Sequence, residues 1–155
     1  MAAPSHPLFE RLASPDDGTA LVVEGEGLSY QQLSRLAVAH ARRLEGAGLE
    51  PGDTVALWTQ RSLATPAALV ANALYGVVTV PLDPTLGTVE LAHILDDARP
   101  RCVLAADPVA AQDATPGVLA TCAASDGEDG AAPSRAVDDD PLLLLYTSGT
   151  TGAPK

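Results

Sequence analysis

Residues 54–80 read TVALWTQRSLATPAALVANALYGVVTV. The first five and the last four residues of this stretch are rich in strand formers, which predicts a short strand at each end. Between them, a helix is predicted to begin near Ser62 or Thr65 and to end near Gly76. This helix is apolar on nearly every face, so we expect it to be buried. The stretch therefore predicts one strand–helix–strand unit, which decides the class of fold.

A hairpin and a helix are predicted upstream of this unit. Residues 20–23 and 28–30 are short apolar runs on either side of the turn sequence EGEG, as in a β-hairpin. Ser29 and Gln32 have the spacing of a capping box, in which each side chain binds a free backbone N–H at the start of a helix. Apolar residues then follow at helical spacing as far as Leu44. The arginines of this helix lie off the apolar stripe and are expected to face water; they are Arg35, Arg42 and Arg43.

Another helix and strand are predicted downstream. Thr88 is expected to cap a helix that runs to Ala98, and Pro100 closes it. Residues 102–105 then predict a strand in which Cys102 is a small buried hydrophobe. Strands that alternate with helices through short connections predict an α/β fold, built of βαβ units with right-handed crossovers and a mainly parallel sheet.

The character of the sequence changes at residues 107–140, which are rich in Ala, Asp, Gly, Pro and Ser. This composition predicts a long exposed acidic loop, with one helical turn near residues 118–122. The acidic run at 138–140 is expected to be a solvated turn. Residues 142–146, LLLLY, are continuously apolar and therefore predict a strand that is covered on both faces.

The composition limits the classes of function. The chain has 155 residues, enough for one domain or a piece of a larger one, and its net charge of −11 argues against a partner that is a nucleic acid or an anionic membrane. Cys102 and Cys122 form no cluster with histidine, so neither a disulfide framework nor a metal site is predicted. Residues 1–11 carry no targeting signal, and the apolar stretch 66–82 is interrupted by Asn72 and two prolines. We expect a cytoplasmic protein with no membrane span.

The chemistry is expected in residues 147–155, TSGTTGAPK. Glycines in such a loop allow several backbone N–H groups to point at one anion, and the hydroxyls add neutral donors. Lys155 is the only lysine of the chain and adds a positive charge, while Pro154 before it excludes a Walker A loop. The pattern predicts a polyphosphate site; a flexible Gly/Thr tail is the alternative. The predicted phosphate-binding residues are Thr147, Ser148, Gly149, Thr150, Thr151, Gly152 and Lys155.

YTSGTTGAPK at residues 146–155 resembles the signature phosphate loop of the acyl-adenylate-forming superfamily, the AMP-binding synthetases and ligases. Four further segments resemble that superfamily in the same order; they are LSYQQL at 28–33, GLEPGDTV at 48–55, GVVTVPLDP at 76–84 and ELAHILDDA at 90–98. The resemblance implies that residues 1–19 are a lead-in and that residues 20–155 are the N-terminal portion of an AMP-binding synthetase domain. It also implies an incomplete N-terminal subdomain, from a much longer enzyme.

The resemblance implies a reaction in two steps. A carboxylic acid attacks the α-phosphate of ATP, which is bound with Mg²⁺, and forms an acyl-adenylate and pyrophosphate. A thiol, either coenzyme A or the pantetheine of a carrier protein, then displaces AMP. The other functional residues of the family follow the phosphate loop, so no catalytic residue and no metal ligand can be assigned within this chain, and the 155 residues alone are expected to be inactive.

Two branches of the superfamily fit different parts of the sequence. PLDP at residues 81–84 is typical of the amino-acid-activating domains of nonribosomal peptide synthetases. Residues 85–95, TLGTVELAHIL, lack the Tyr-Pro and the Glu-Arg that usually follow in those domains. ELAHIL at 90–95 resembles instead the acyl-CoA synthetases of malonyl-CoA synthetase type. The second branch is favoured, which implies activation of malonate or a related short acid. The alternatives are an amino-acid-activating domain and a non-catalytic remnant or interaction module.

Two polar residues outside the loop are interpreted as structural. His93 lies on a predicted helix that is remote in sequence from the loop, so a surface or helix-packing role is expected rather than a role as a base. Asp83 stands between two prolines and is expected to shape a turn.

Overall fold

The computed structural model describes residues 7–107, 118–121, 127–130, 135 and 140–147. Four helices and six strands occur in this part of the chain. Their order is α1 (Pro7–Ala13), β1 (Thr19–Val23), β2 (Glu26–Ser29), α2 (Tyr30–Gly46), β3 (Thr54–Trp58), α3 (Ala64–Tyr75), β4 (Val78–Leu82), α4 (Thr88–Ala98), β5 (Val103–Ala105) and β6 (Val118–Ala120).

The predicted hairpin and capping box are confirmed. β1 and β2 pair antiparallel around Glu24 and Gly25, whose φ angles of 53° and 87° form the tight turn. The Ser29 hydroxyl accepts a hydrogen bond from the Gln32 N–H at 3.2 Å, and the Gln32 side-chain oxygen accepts one from the Ser29 N–H at 2.8 Å. These bonds start α2 directly after the hairpin.

α1 lies within the stretch expected to be a lead-in. Its Leu12 is buried in the same core cluster as Leu33 and Leu36 of α2. The Ser34 hydroxyl of α2 donates a 3.1 Å hydrogen bond to the Leu12 carbonyl, which closes the C-terminal end of α1. Residues 7–13 therefore contribute to the core, while the boundary at residue 19 stays a prediction.

The predicted parallel sheet is confirmed, with strand order β4-β3-β5-β6 and parallel pairing throughout. α2 and α3 pack on the face that presents Leu57 and Leu104. α4 packs on the opposite face, against Ala56 and Val103. The sheet thus has helices on both faces, as expected for strands that read as continuously apolar. The buried helix of the opening stretch is also confirmed, since no residue of α3 is exposed.

β4 continues further than the sequence predicted. The strand was expected to end before Pro81, but it includes Pro81 and Leu82. Proline lacks an N–H. Backbone groups of every second strand residue point to the same side, and Thr79, two residues before Pro81, uses its N–H and carbonyl on the side away from β3. The missing donor of Pro81 therefore also faces away from β3. The β3–β4 ladder therefore keeps its hydrogen bonds, and Thr59 at the end of β3 donates its N–H to the Leu82 carbonyl at 2.9 Å.

The start of α4 corrects a second prediction. Thr88 was expected to be the helix cap, but it is the first helical residue, and Gly87 is the N-cap with φ −67° and ψ 155°. The Leu91 N–H donates to the Gly87 carbonyl at 2.9 Å, so the first turn is closed by backbone. The helix ends at Ala98, before Pro100, as predicted.

Residues 118–120 correct a third prediction, because they form β6 rather than a helical turn. β6 pairs in parallel with β5, from Val103 opposite Val118 to Ala105 opposite Ala120. The Thr121 N–H then donates to the Ala105 carbonyl at 2.9 Å. A free sheet edge next to a short apolar run favours the strand, which local sequence alone does not reveal.

The 127–130 segment, within the predicted exposed loop, lies along α2. The Glu128 N–H donates to the Arg35 carbonyl at 3.1 Å, and a side chain on Gly127 would meet the Arg35 Cβ at 3.0 Å. Arg35 forms a 3.0 Å salt bridge with Asp129, and Arg42 forms one with Glu128. The two arginines are exposed as predicted, but they also hold this acidic segment on the helix.

Arg43 departs from the prediction that it faces water. It is half-buried, and its guanidinium donates a 3.1 Å hydrogen bond to the Thr121 carbonyl at the end of β6. α2 therefore contacts the last strand of the sheet through a side chain that the apolar stripe did not mark as structural.

The apolar run at residues 142–145 is less covered than predicted. Leu143 forms an isolated parallel bridge with Thr79 of β4. The side chains of this leucine patch, Leu142 to Leu145, are 40% to 65% exposed. The sequence has the pattern of a strand that is covered on both faces, but the described residues cover these four leucine side chains only in part.

We expect the chain to bind a fluorescent dye that reports exposed apolar surface, because the leucine patch is continuous. Leu145→Glu should lower the dye signal clearly, since Leu145 is 65% exposed within the patch. Val89→Glu is the matched control: Val89 is 84% exposed but lies on α4, so its replacement should change the signal little. Equal decreases for the two variants would contradict this assignment.

Candidate functional site

The predicted phosphate loop begins at the last described residue of the chain. Thr147 is exposed and follows the leucine patch and Tyr146 directly. The other predicted phosphate-binding residues lie outside the described residues; they are Ser148, Gly149, Thr150, Thr151, Gly152 and Lys155. The described residues therefore show where the loop leaves the sheet.

Backbone pairing with β4 determines where the loop leaves the sheet. The Thr79 N–H donates to the Leu142 carbonyl and the Leu144 N–H donates to the Thr79 carbonyl, each at 2.9 Å. Because this pairing is parallel, Thr147 emerges at the edge where β3 and β4 end, at Trp58 and Leu82. Ligands of open α/β sheets bind outside the carboxyl ends of the strands. The start of the predicted loop therefore lies at the edge suited to a ligand.

Tyr146, immediately before the loop, is fixed at two points. Its ring packs against the core cluster between the sheet and α4, which includes Ala56 and Ile94. Its hydroxyl donates a 2.5 Å hydrogen bond to the Asp97 carboxylate of α4. Partial burial, together with the Asp97 carboxylate, raises the pKa of Tyr146 to about 12, so the hydroxyl keeps its proton and remains a donor at neutral pH.

A buried polar chain, made of three hydrogen-bonded side chains, reaches β4 from α2 and α3. His40 of α2, Asn72 of α3 and Thr79 of β4 are at most 2% exposed. The Asn72 amide nitrogen donates to the Thr79 hydroxyl at 2.9 Å, and His40 Nε2 lies 2.8 Å from the Asn72 side-chain oxygen. Burial lowers the pKa of His40, so the ring is neutral and Nε2–H donates to Asn72.

Sequence reasoning did not predict this buried polar chain. The one signal visible in the sequence is Asn72, an amide in the middle of a largely apolar helix, where it interrupts an apolar stretch. The polar chain links α2 and α3 to Thr79. The backbone of Thr79 pairs with residues 142–144, which lead to Thr147. Asn72 thereby provides a buried hydrogen-bond partner for both the His40 ring and the Thr79 hydroxyl.

The two residues interpreted as structural have the expected settings. The Asp83 carboxylate accepts 2.7 Å hydrogen bonds from the hydroxyl and the N–H of Thr85, and these bonds lower the pKa of Asp83. The predicted turn is therefore confirmed. His93 is exposed on α4, consistent with the surface role expected for it.

Two features are absent from the part of the chain that the structure describes. No helix in this part of the chain has both the length and the apolar character that crossing a bilayer requires. Among the same residues, His, Cys, Asp and Glu form no group of three or more with the arrangement of a metal site.

Sequence comparison identifies relatives of this chain. The chain matches the AMP-binding enzyme family over residues 8–155. Surfactin synthase subunit 3 of Bacillus subtilis (strain 168) is 34% identical over 152 residues, which cover 94% of this chain and 12% of that protein. Feruloyl-CoA synthase of Amycolatopsis sp is 36% identical over 156 residues, which cover 97% of this chain and 32% of that enzyme. The chain thus spans less than a third of the length of either relative.

Solved structures share the fold. The N-terminal subdomain of Klebsiella oxytoca NpsA superposes with a TM-score of 0.77 at 26% identity, over 99% of this chain and 41% of that one. A malonyl-CoA ligase, solved as a ternary product complex with methylmalonyl-CoA and AMP, superposes with a TM-score of 0.71 at 37% identity, over 99% of this chain and 30% of that one. With a family match from residue 8 to residue 155 and this shared α/β fold, the chain belongs to the AMP-binding enzyme family and has the fold of part of the N-terminal subdomain of adenylate-forming enzymes.

Proposed function

We propose that this chain is the N-terminal part of a cytoplasmic, ATP-dependent acid–thiol ligase, in which residues 147–155 bind the β- and γ-phosphates of ATP. The observation that carries the proposal is the parallel pairing of residues 142–144 with Thr79, which presents Thr147 at the carboxyl edge of the sheet. The loop sequence adds hydroxyl donors, glycines and one lysine, a donor set that suits phosphate oxygens.

In the proposed reaction, a carboxylate oxygen attacks the α-phosphorus of ATP, and the bond from that phosphorus to the bridging oxygen of the β-phosphate breaks. Pyrophosphate leaves with the bond electrons. The loop donors and Lys155 stabilise the charge that develops on this leaving group. Mg²⁺, bound with ATP, would offset further phosphate charge. The thiol of coenzyme A, or of a carrier-protein pantetheine, then attacks the acyl carbon, and AMP leaves.

For the acid, we propose malonate or a related short acid. Residues 85–95 depart from the peptide-synthetase pattern, and the 37% identity to a malonyl-CoA ligase supports the same branch. The amino-acid-activating function remains the second candidate, because PLDP at residues 81–84 and the 34% identity to a surfactin synthase subunit favour it. The two candidates differ in the acid and in the thiol acceptor.

The test uses the enzyme that carries this chain and measures exchange of labelled pyrophosphate into ATP. Malonate or methylmalonate should drive exchange well above the blank, while the twenty protein amino acids should not. Exchange driven by an amino acid, with no response to either dicarboxylate, would assign the chain to the second candidate. Exchange with neither class of acid would contradict both candidate assignments.

A further inference from the structure

The contact between Tyr146 and Asp97 joins the entrance of the predicted loop to α4. Tyr146 is the residue before Thr147, and its hydroxyl lies 2.5 Å from Asp97 Oδ2. Asp97 is fixed in turn by the helix that carries it, because Leu91 and Ile94 of α4 are buried against the sheet. The strand end and the helix end are therefore held at a set distance by one hydrogen bond.

The position of Asp97 is unusual for a carboxylate. It lies in the last turn of α4, which ends at Ala98, and a negative charge is unfavourable at the C-terminal end of a helix because of the helix dipole. The neighbouring Asp96 is also exposed, and its recorded contact is made by its backbone carbonyl, which accepts from Arg99 Nε at 3.3 Å. Of these two acidic residues, Asp97 is the one whose carboxylate holds Tyr146.

We propose that Asp97 is a positioning residue for adenylate formation: by accepting the Tyr146 hydrogen bond, it fixes the chain immediately before Thr147, where the predicted phosphate loop begins. The inference rests on the proposed phosphate-binding function of that loop. The Thr79 pairing fixes residues 142–144, and the next fixed point along the chain is the Tyr146 side chain. A loop released at that point would hold its donors less accurately, and misplacement by about 1 Å can cost a large factor in rate.

The expected effect is confined to the step that uses the phosphates. Asp97→Ala and Tyr146→Phe should each lower kcat/KM for MgATP in pyrophosphate exchange roughly five- to tenfold, the factor expected for one lost hydrogen bond. Thioester formation from a supplied acyl-adenylate should be unchanged, since β- and γ-phosphates are absent from that step. Asp97→Asn keeps an accepting oxygen and should restore most of the activity.

Three controls separate positioning from general stability. Asp96→Ala removes the adjacent carboxylate and should leave both half-reactions as in the unmodified enzyme. Trp58, the single tryptophan of these 155 residues, lies in the same core cluster as Tyr146. Its fluorescence in this chain and the Tm of the enzyme report whether a variant is folded. The double variant Asp97→Ala/Tyr146→Phe should be no slower than either single variant, because both remove the same interaction.

Unchanged kcat/KM for MgATP in both Asp97→Ala and Tyr146→Phe would overturn the inference. So would equal losses in both half-reactions accompanied by a lower Tm, which would mean a purely structural role. Lys155→Ala distinguishes this failure from failure of the proposed function. If Lys155→Ala impairs adenylation and the Asp97 variants do not, only the positioning role is wrong; if Lys155→Ala also has no effect in an active enzyme, the phosphate-binding assignment is wrong.

Discussion

Lys155→Ala is expected to slow adenylate formation roughly ten- to a hundred-fold in the enzyme that carries this chain, with little effect on thioester formation from a supplied acyl-adenylate. Lys155 is the only lysine of the chain and ends the predicted phosphate loop. Losing a hydrogen bond to a charged group costs about 1.5–3 kcal/mol, which corresponds to this range of rates. The measurement is pyrophosphate release with the acid as substrate, alongside thioester formation from synthetic acyl-adenylate.

Two further variants sharpen this test. Thr150→Val keeps the shape of the side chain but removes a neutral donor, so its cost should be nearer 0.5–1.5 kcal/mol. Arg99→Ala removes an exposed positive charge just after α4, outside the predicted loop, and should change neither step. Normal adenylation by Lys155→Ala, or a loss confined to the thioester step, would show that the loop does not bind the leaving phosphates.

Asn72→Leu is expected to lower the free energy of unfolding by about 2–5 kcal/mol. The substitution leaves the His40 Nε2–H and the Thr79 hydroxyl buried without the partner that each now has, and an unsatisfied buried group costs about 1–3 kcal/mol. Against a typical domain stability of about 5–15 kcal/mol, this is a large loss. Urea titration followed by the fluorescence of Trp58 measures it.

The matched control replaces the whole polar chain. His40→Leu/Asn72→Leu/Thr79→Val removes all three polar groups together, so no orphaned donor remains, and most of the lost stability should return. A triple variant as unstable as Asn72→Leu, or an Asn72→Leu variant as stable as the unmodified chain, would mean that the hydrogen bonds of this chain contribute little.

The pH dependence of the free energy of unfolding offers a second measure of the buried polar chain. Burial lowers the pKa of His40 from 6.5, so the unfolded state takes up a proton at a higher pH than the folded state does. The contribution of His40 to stability is therefore complete above about pH 6.5 and is lost progressively as the pH falls below that value. The triple variant lacks this histidine and should show a shallower decline of stability between pH 6.5 and the lower pKa of the folded state.

Local signals in the sequence predicted the elements that local interactions build. The reciprocal bonds of Ser29 and Gln32 start α2, and Gly76, with φ 90°, ends α3; both depend on residues within one turn of the helix. The parallel sheet was predictable for a related reason, because apolar runs separated by helices leave few other topologies.

Features that depend on distant neighbours could not be predicted in this way. β6 is a three-residue strand whose formation depends on the free edge of β5, and Pro81 is tolerated in β4 because its missing donor faces outward. At the candidate site, the sequence predicted the loop from composition and resemblance. The hydrogen bond of Asp97 to Tyr146 joins residues that are 49 positions apart in the sequence, and that of Asn72 to Thr79 joins residues 7 positions apart in different elements. The periodicity within one helix or strand does not reveal such contacts.

The strand order β4-β3-β5-β6 also has a consequence for synthesis of the protein on the ribosome. β3 is the first strand of this sheet to be made, yet it lies inside the sheet and needs partners on both edges. β5 follows about 45 residues later, so at about 5–20 residues per second one edge of β3 stays open for roughly 2 to 9 s. An unpaired apolar edge is a template for another strand. Nascent chains that end between β4 and β5 are therefore the form of this protein in which self-association through Val55, Ala56 and Leu57 is most favoured.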